Sequence, residues 1–195
     1  MKWRITFNAP VTLCFVALCF IATLLGYVTS DASTYLLFAT YAGSLLDPLF
    51  YVRLFTHVLG HSGWDHFASN MIYILLLGPL LEEKYGSKPL IGVILVTALT
   101  SSVINAIFMP NIALLGASGV CFAFIIMGSV TNIREGEIPL TFILVFVVFI
   151  GQQVFVGLTV DDSISNLSHI IGGIVGGISG FALMRTTQKQ QISEL

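Results

Sequence analysis

The sequence predicts an all-α membrane protein: a bundle of six transmembrane helices with both termini on the cytoplasmic side. Composition is the first reason. Hydrophobic residues make up 56% of the 195-residue chain and charged residues 9%, against about 25% charged in soluble domains. The mean hydropathy of +0.94 follows from this. The second reason is length: apolar runs recur near the ~20 residues needed to cross a ~30 Å hydrocarbon core. The third is where the cations fall. Lys2, Arg4, Lys84, Lys88, Arg134, Arg185 and Lys189 share one side of the membrane only if the chain crosses six times, leaving Arg53 on the other. Positive residues favour the cytoplasmic side.

The spans are expected near 11–29, 65–82, 89–108, 117–133, 139–158 and 167–184. The first follows a basic start and resembles a signal peptide in outline. Its length and the lack of a small-residue cleavage site read as a retained transmembrane helix. Residues 30–64 form a long outer loop. Gly43, Asp47, Pro48 and Arg53 interrupt it too often for a span, so it is expected to hold short interfacial helices. The second span carries His66 and Asn70 in WDHFASNMIY. The third is uniformly apolar, as are the first and fifth, and these three are expected to face lipid. The segment MPNIALLGAS precedes the fourth span, holds Pro110 and no charge, and suits a loop dipping inward. The fourth span opens on Gly116-Ala117-Ser118-Gly119. The sixth carries His169 and a stripe at Gly172, Gly176 and Gly180, widened by Gly173 and Gly177. Residues 185–195 form a polar tail. The whole is read as a single membrane domain.

Other classes are disfavoured. The net charge is −2 with no basic block, so nucleic acid is not an expected partner; lipid is. Cys14, Cys19 and Cys121 all lie in apolar runs and read as packing residues, with no metal site expected. HVLGH places His57 and His61 at i, i+4 but lacks the glutamate of a zinc protease motif. No paired inverted repeats suggest a transporter.

Polar groups in hydrocarbon are costly and mark function. Spans 2, 4 and 6 all start from the outer side. His66, Asn70, Ser118 and His169 each lie near such a start, within roughly 10 Å of the outer surface at 1.5 Å rise per residue. His66 and Asn70 share a helical face. Small residues allow close helix contact in membranes, so a glycine-lined seam between spans 4 and 6 would join Ser118 and His169. A serine hydroxyl needs a base within reach to act as a nucleophile, and a neutral histidine supplies one. The Ser118 amide, Asn70 and His66 are candidate oxyanion donors, beside Gly116. No carboxylate is placed to orient His169, since Asp161 and Asp162 fall in an outer loop; a Ser–His dyad is expected, without a cofactor.

RLFTHVLGHSGWDHFASNMIYILLLGPLLEEKYGS, GASG and SHIIGGIVGG together resemble the rhomboid intramembrane serine proteases over about residues 10–185. The resemblance implies a minimal six-helix form. It implies Ser118 as nucleophile, His169 as general base and His66 and Asn70 as oxyanion residues. Arg53, His57, His61 and Glu82 would be structural, and Gly78, Gly86, Gly172 and Gly176 also fall at family spacing. It further implies single-pass transmembrane proteins as substrates, entering past helix 5. The compact chain and lack of a transit peptide separately suggest a prokaryotic plasma membrane as an expectation. Three positions depart from the family pattern. Val52 replaces a tryptophan before the arginine, Phe122 a tyrosine that stacks on the base, and Ser168 an alanine before it.

Overall fold

The computed structural model describes residues 5–131, 137–159 and 163–193. The expectations resting on Lys2, Arg4, Arg134, Asp161 and Asp162 lie outside them. Among the described residues there are eight α-helices in chain order: α1 (Pro10–Val28), α2 (Ala32–Leu37), α3 (Pro48–Thr56), α4 (Trp64–Tyr85), α5 (Ser87–Phe108), α6 (Ser118–Ser129), α7 (Leu140–Thr159) and α8 (Ser163–Ser193). A 3-10 turn, His57–Leu59, follows α3. A helix overlaps each of the six stretches expected to span, and residues 30–64 hold α2 and α3.

The helices differ in length and polarity. Four are long and apolar enough to cross a membrane: α1, α5, α7 and the 166–184 part of α8. Within the fourth expected span, 117–133, the described helix is short, and residues 132 and 133 lie outside the described residues. α6 has 12 residues, about 18 Å at 1.5 Å per residue, and ends at Ser129. α8 in turn continues beyond residue 184 to Ser193.

α6 is the hub. It packs most extensively on α8 and also touches α4, α5 and α7. Val120, Phe124, Ile126 and Met127 are all fully buried. A helix that is apolar on every side is stable only when surrounded, and α6 is. The expectation for the three greasiest spans holds for α7, whose buried residues are Ile150 and Gln153. α5 exposes Ile91, Leu95, Val96, Val103 and Ile107 and yet buries as large a share of its span as α8 does. The reason is a polar inner stripe of Thr97, Ser101, Ser102 and Asn105, which a hydropathy average conceals.

Two devices tie the bundle together. Pro10 opens α1, and no side chain of its own caps it. The Glu82 carboxylate does so from α4, accepting from Val11 N (2.9 Å), Thr12 N (3.0 Å), Thr12 Oγ1 (2.9 Å) and Ser87 Oγ (2.7 Å). This satisfies orphan amides at a helix start with a charge of the favourable sign. In the outer loop, Asp47 caps α3 through Leu49 N and pairs with Arg53 at 2.8 Å. The Arg53 guanidinium also lies over the Tyr41 ring, 4.7 Å from its centroid.

Candidate active site

The backbone leading into α6 is held from outside the helix. Thr40 and Leu114 exchange both backbone hydrogen bonds, at 2.9 and 2.8 Å. Ala42 N donates to Pro110 O, and Gly116 N to His57 O at 2.9 Å. Asn105 Nδ2 on α5 donates to Ile112 O. MPNIALLGAS is therefore a loop clamped between the outer loop and α5. His57, in turn, is fixed by Ser102 Oγ, 3.0 Å from its Nδ1, and His61 Nδ1 lies 3.1 Å from Leu59 O. Burial pushes both imidazoles down to about 4, so both are neutral near pH 7.

Ser118 is the first residue of α6 and is half-buried. The residue before it, Ala117, has no side chain able to cap, so no side-chain cap occupies the first amides of the helix. Gly116 has φ +120°, and a Cβ there would lie 2.8 Å from both Cε1 and Nε2 of His66 and 3.8 Å from Asn70 Nδ2. Only glycine combines that backbone angle with a histidine edge laid against it. Asn70 is oriented by a residue the sequence reading took as mere packing: Cys121 Sγ donates to its carbonyl (3.4 Å) and to its Oδ1 (3.6 Å). Asn70 Nδ2 is left buried with no partner.

The α6–α8 seam is built from glycines, as expected. A Cβ at Gly172 would overlap the Gly119 carbonyl, and one at Gly176 would overlap that of Ala123. Ser168 lies over Gly119, its Oγ 2.9 Å from where a Cβ would stand. This seam brings His169 beside α6, where the Phe122 ring stacks on it with centroids 4.3 Å apart and planes 4° from parallel. Phenylalanine thus retains the stacking that the tyrosine of the family pattern would supply. His169 Nε2 is buried and makes no hydrogen bond, so the Ser118 hydroxyl is not bonded to it in this state. His169 Nδ1 lies 2.7 Å from Gln153 Oε1 on α7. Among the described residues, the group at that place is a neutral amide. Gln153 escaped the sequence reading although a signal existed: a glutamine pair interrupts an otherwise apolar span.

His66, Asn70, Gly116, Ser118 and His169 thus converge around the start of α6, on three different helices and one loop. Gly172 and Gly176 form the seam that permits it.

Comparison with known proteins agrees with the resemblance seen in the sequence. The model of the rhomboid domain matches residues 49–186. The chain is similar to rhomboid-related protein 1 of Caenorhabditis elegans, 27% identical over 153 residues, which are 73% of this chain and 43% of that protein. It is similar to rhomboid protease GlpG of Haemophilus influenzae, 29% identical over 133 residues, 66% of this chain and 68% of that protein. It is also similar to rhomboid protease GluP of Bacillus subtilis, 26% identical over 163 residues, 80% of this chain and 30% of that protein. The chain spans under half the length of the worm protein and of GluP. These relatives come from bacteria and from an animal, so the likeness does not narrow the source to a prokaryote.

Proposed function

The chain belongs to the rhomboid family and is an integral membrane protein, and from that premise we propose that it is an intramembrane serine endopeptidase acting through Ser118 and His169. The observation that carries this reading is a set of buried polar groups with unmet hydrogen bonds around one helix start. Asn70 Nδ2 and His169 Nε2 are both buried without partners. Buried polar groups are nearly always satisfied; of the eight unpartnered side-chain atoms among the described residues, these two belong to the expected base and an oxyanion candidate, which fits groups reserved for a substrate.

The chemistry follows. Ser118 Oγ attacks the scissile carbonyl carbon as its proton passes to His169 Nε2. The carbonyl oxygen becomes an oxyanion, stabilised by the Ser118 amide at the α6 N-terminus, Asn70 Nδ2 and the His66 imidazole. Collapse breaks the C–N bond, and His169 returns the proton to the leaving amine. Water then attacks the acyl-enzyme, with His169 again taking a proton, and Ser118 is regenerated. Gly116 keeps the pocket open, since any side chain there would fill the space against His66. No step calls for a metal or a cofactor.

The substrates are single-pass transmembrane proteins. Their helices must locally unwind, because non-helical backbone is tolerated at membrane depth only where protein or water covers it. The bundle crosses six times with both termini cytoplasmic, as the basic residues suggest. α4 and the short α6 then cross beside the more apolar helices that enclose them.

The test is cleavage of a model transmembrane substrate by the purified protein, together with labelling by a fluorophosphonate serine probe. Ser118→Ala and His169→Ala should abolish both. Cleavage or labelling undiminished in Ser118→Ala would overturn the assignment.

A further inference from the structure

Resting on that reading of Ser118 and His169, we propose that Gln153 is the positioning residue of the base, holding His169 as the Nδ1–H tautomer so that the lone pair stays on Nε2. The amide oxygen of Gln153 lies 2.7 Å from Nδ1. A carbonyl oxygen only accepts, so the proton of the neutral imidazole must sit on Nδ1. Nε2, buried and unpartnered, is then the atom free to take a proton.

Two contacts divide the work of fixing the ring. Stacking on Phe122 sets its plane but leaves it free to turn within that plane. The bond to Gln153 removes that freedom. Register between the two helices makes the bond reproducible. Ile150 packs where Gly173 lacks a side chain, Gln153 meets His169, and Gly157 faces Asn166. These pairs step along an antiparallel α7–α8 seam, one turn at a time. Gln153 is 9% exposed on a helix that otherwise turns outward. An amide is expensive to bury in apolar surroundings unless it is bonded, so its inward placement matches its partner.

Neutrality distinguishes this arrangement from a carboxylate triad. An amide selects the tautomer without adding charge. A carboxylate at the same place would favour the imidazolium and make His169 easier to protonate.

The experiment compares Gln153→Met and Gln153→Glu with the wild type in the full-length protein in detergent micelles, using a model transmembrane substrate and a fluorophosphonate probe. Gln153→Met keeps the volume and removes the acceptor. Its kcat should fall by at least about 10-fold with KM nearly unchanged, and probe labelling of Ser118 should slow in parallel. Gln153→Glu should turn over above its acid limb, with that limb of the kcat/KM profile moved up by about one pH unit or more. Should Gln153→Met fail to fold, Gln153→Leu takes its place with the same expected loss of kcat, and full turnover in Gln153→Leu overturns the proposal. Wild-type turnover in Gln153→Met, or an unmoved limb in Gln153→Glu, overturns the proposal. An inactive Ser118→Ala beside a fully active Gln153→Met refutes the positioning role alone, whereas an active Ser118→Ala refutes the underlying dyad.

Discussion

Gly172→Ala should both destabilise the protein and slow cleavage, and the size of the effect follows from the seam. A Cβ at Gly172 would stand 2.8 Å from Gly119 C and 3.0 Å from its Cα, and closer still to its carbonyl oxygen. Carbon atoms in ordinary contact are about 3.5 Å or more apart. Because the obstruction is backbone, no rotamer change relieves it; α6 and α8 must separate by more than half an ångström (roughly, from that comparison). Overpacking of this kind costs up to about 3 kcal/mol. Better helix propensity returns about 1 kcal/mol, so the net loss is about 2 kcal/mol. For a chain of this size that lowers Tm by about 4–8 °C. The same separation moves His169 relative to Ser118, and a ~1 Å misplacement can cost about 100-fold in rate. Gly176→Ala meets the Ala123 backbone one turn farther from the site, so it should lose similar stability but less activity. Two neighbours serve as controls. Gly177→Ala would touch only Ile126 Cγ2 at 3.6 Å, and Gly151→Ala would meet nothing; neither should lower Tm. Thermal unfolding in micelles and initial cleavage rates supply the readouts. An unchanged Tm in Gly172→Ala, or equal damage from Gly177→Ala, would refute the reasoning.

Three further outcomes are expected. Glu82→Ala removes the acceptor of four hydrogen bonds that anchor α1 and the start of α5; thermal unfolding should show a loss of about 3 kcal/mol or more, and Glu82→Gln a smaller one. Phe122→Leu loses the stack on His169, worth about 0.5–1.5 kcal/mol, and should lower kcat by several-fold (roughly, on that energy), while Phe122→Tyr keeps the rate. His57 and His61 are held at about 4 by burial, below the unfolded value of about 6.5. The unfolded chain therefore binds more protons between those values. Their contribution to stability is complete above about pH 6.5 and is lost as pH falls toward 4; replacing Ser102 by Ala, which frees His57 Nδ1, should change that slope in unfolding measured across pH 4–7.

Much of the protein was legible in the chain because membrane helices obey one-dimensional rules. Length and hydropathy anticipated the long helices, and the broken apolar loop anticipated short helices within 30–64. The glycine stripe announced the close seam, and the expected shared depth of His66, Asn70, Ser118 and His169 pointed to a candidate site. What misled was averaging: α5 hides a polar inner stripe of Thr97, Ser101, Ser102 and Asn105 within a greasy mean.

Other features depend on which atoms meet across helices. Cys121 looked like filler until its thiol was found against Asn70. Gln153 lay in a span read as facing lipid, and its partner His169 is 16 residues away on another helix. Sequence alone determined the helical bundle and its candidate nucleophile and base, since burial period and residue chemistry are local properties. Only the tertiary structure decided how that base is held, because a hydrogen bond's direction and a ring's stacking plane exist only once α6, α7 and α8 have packed.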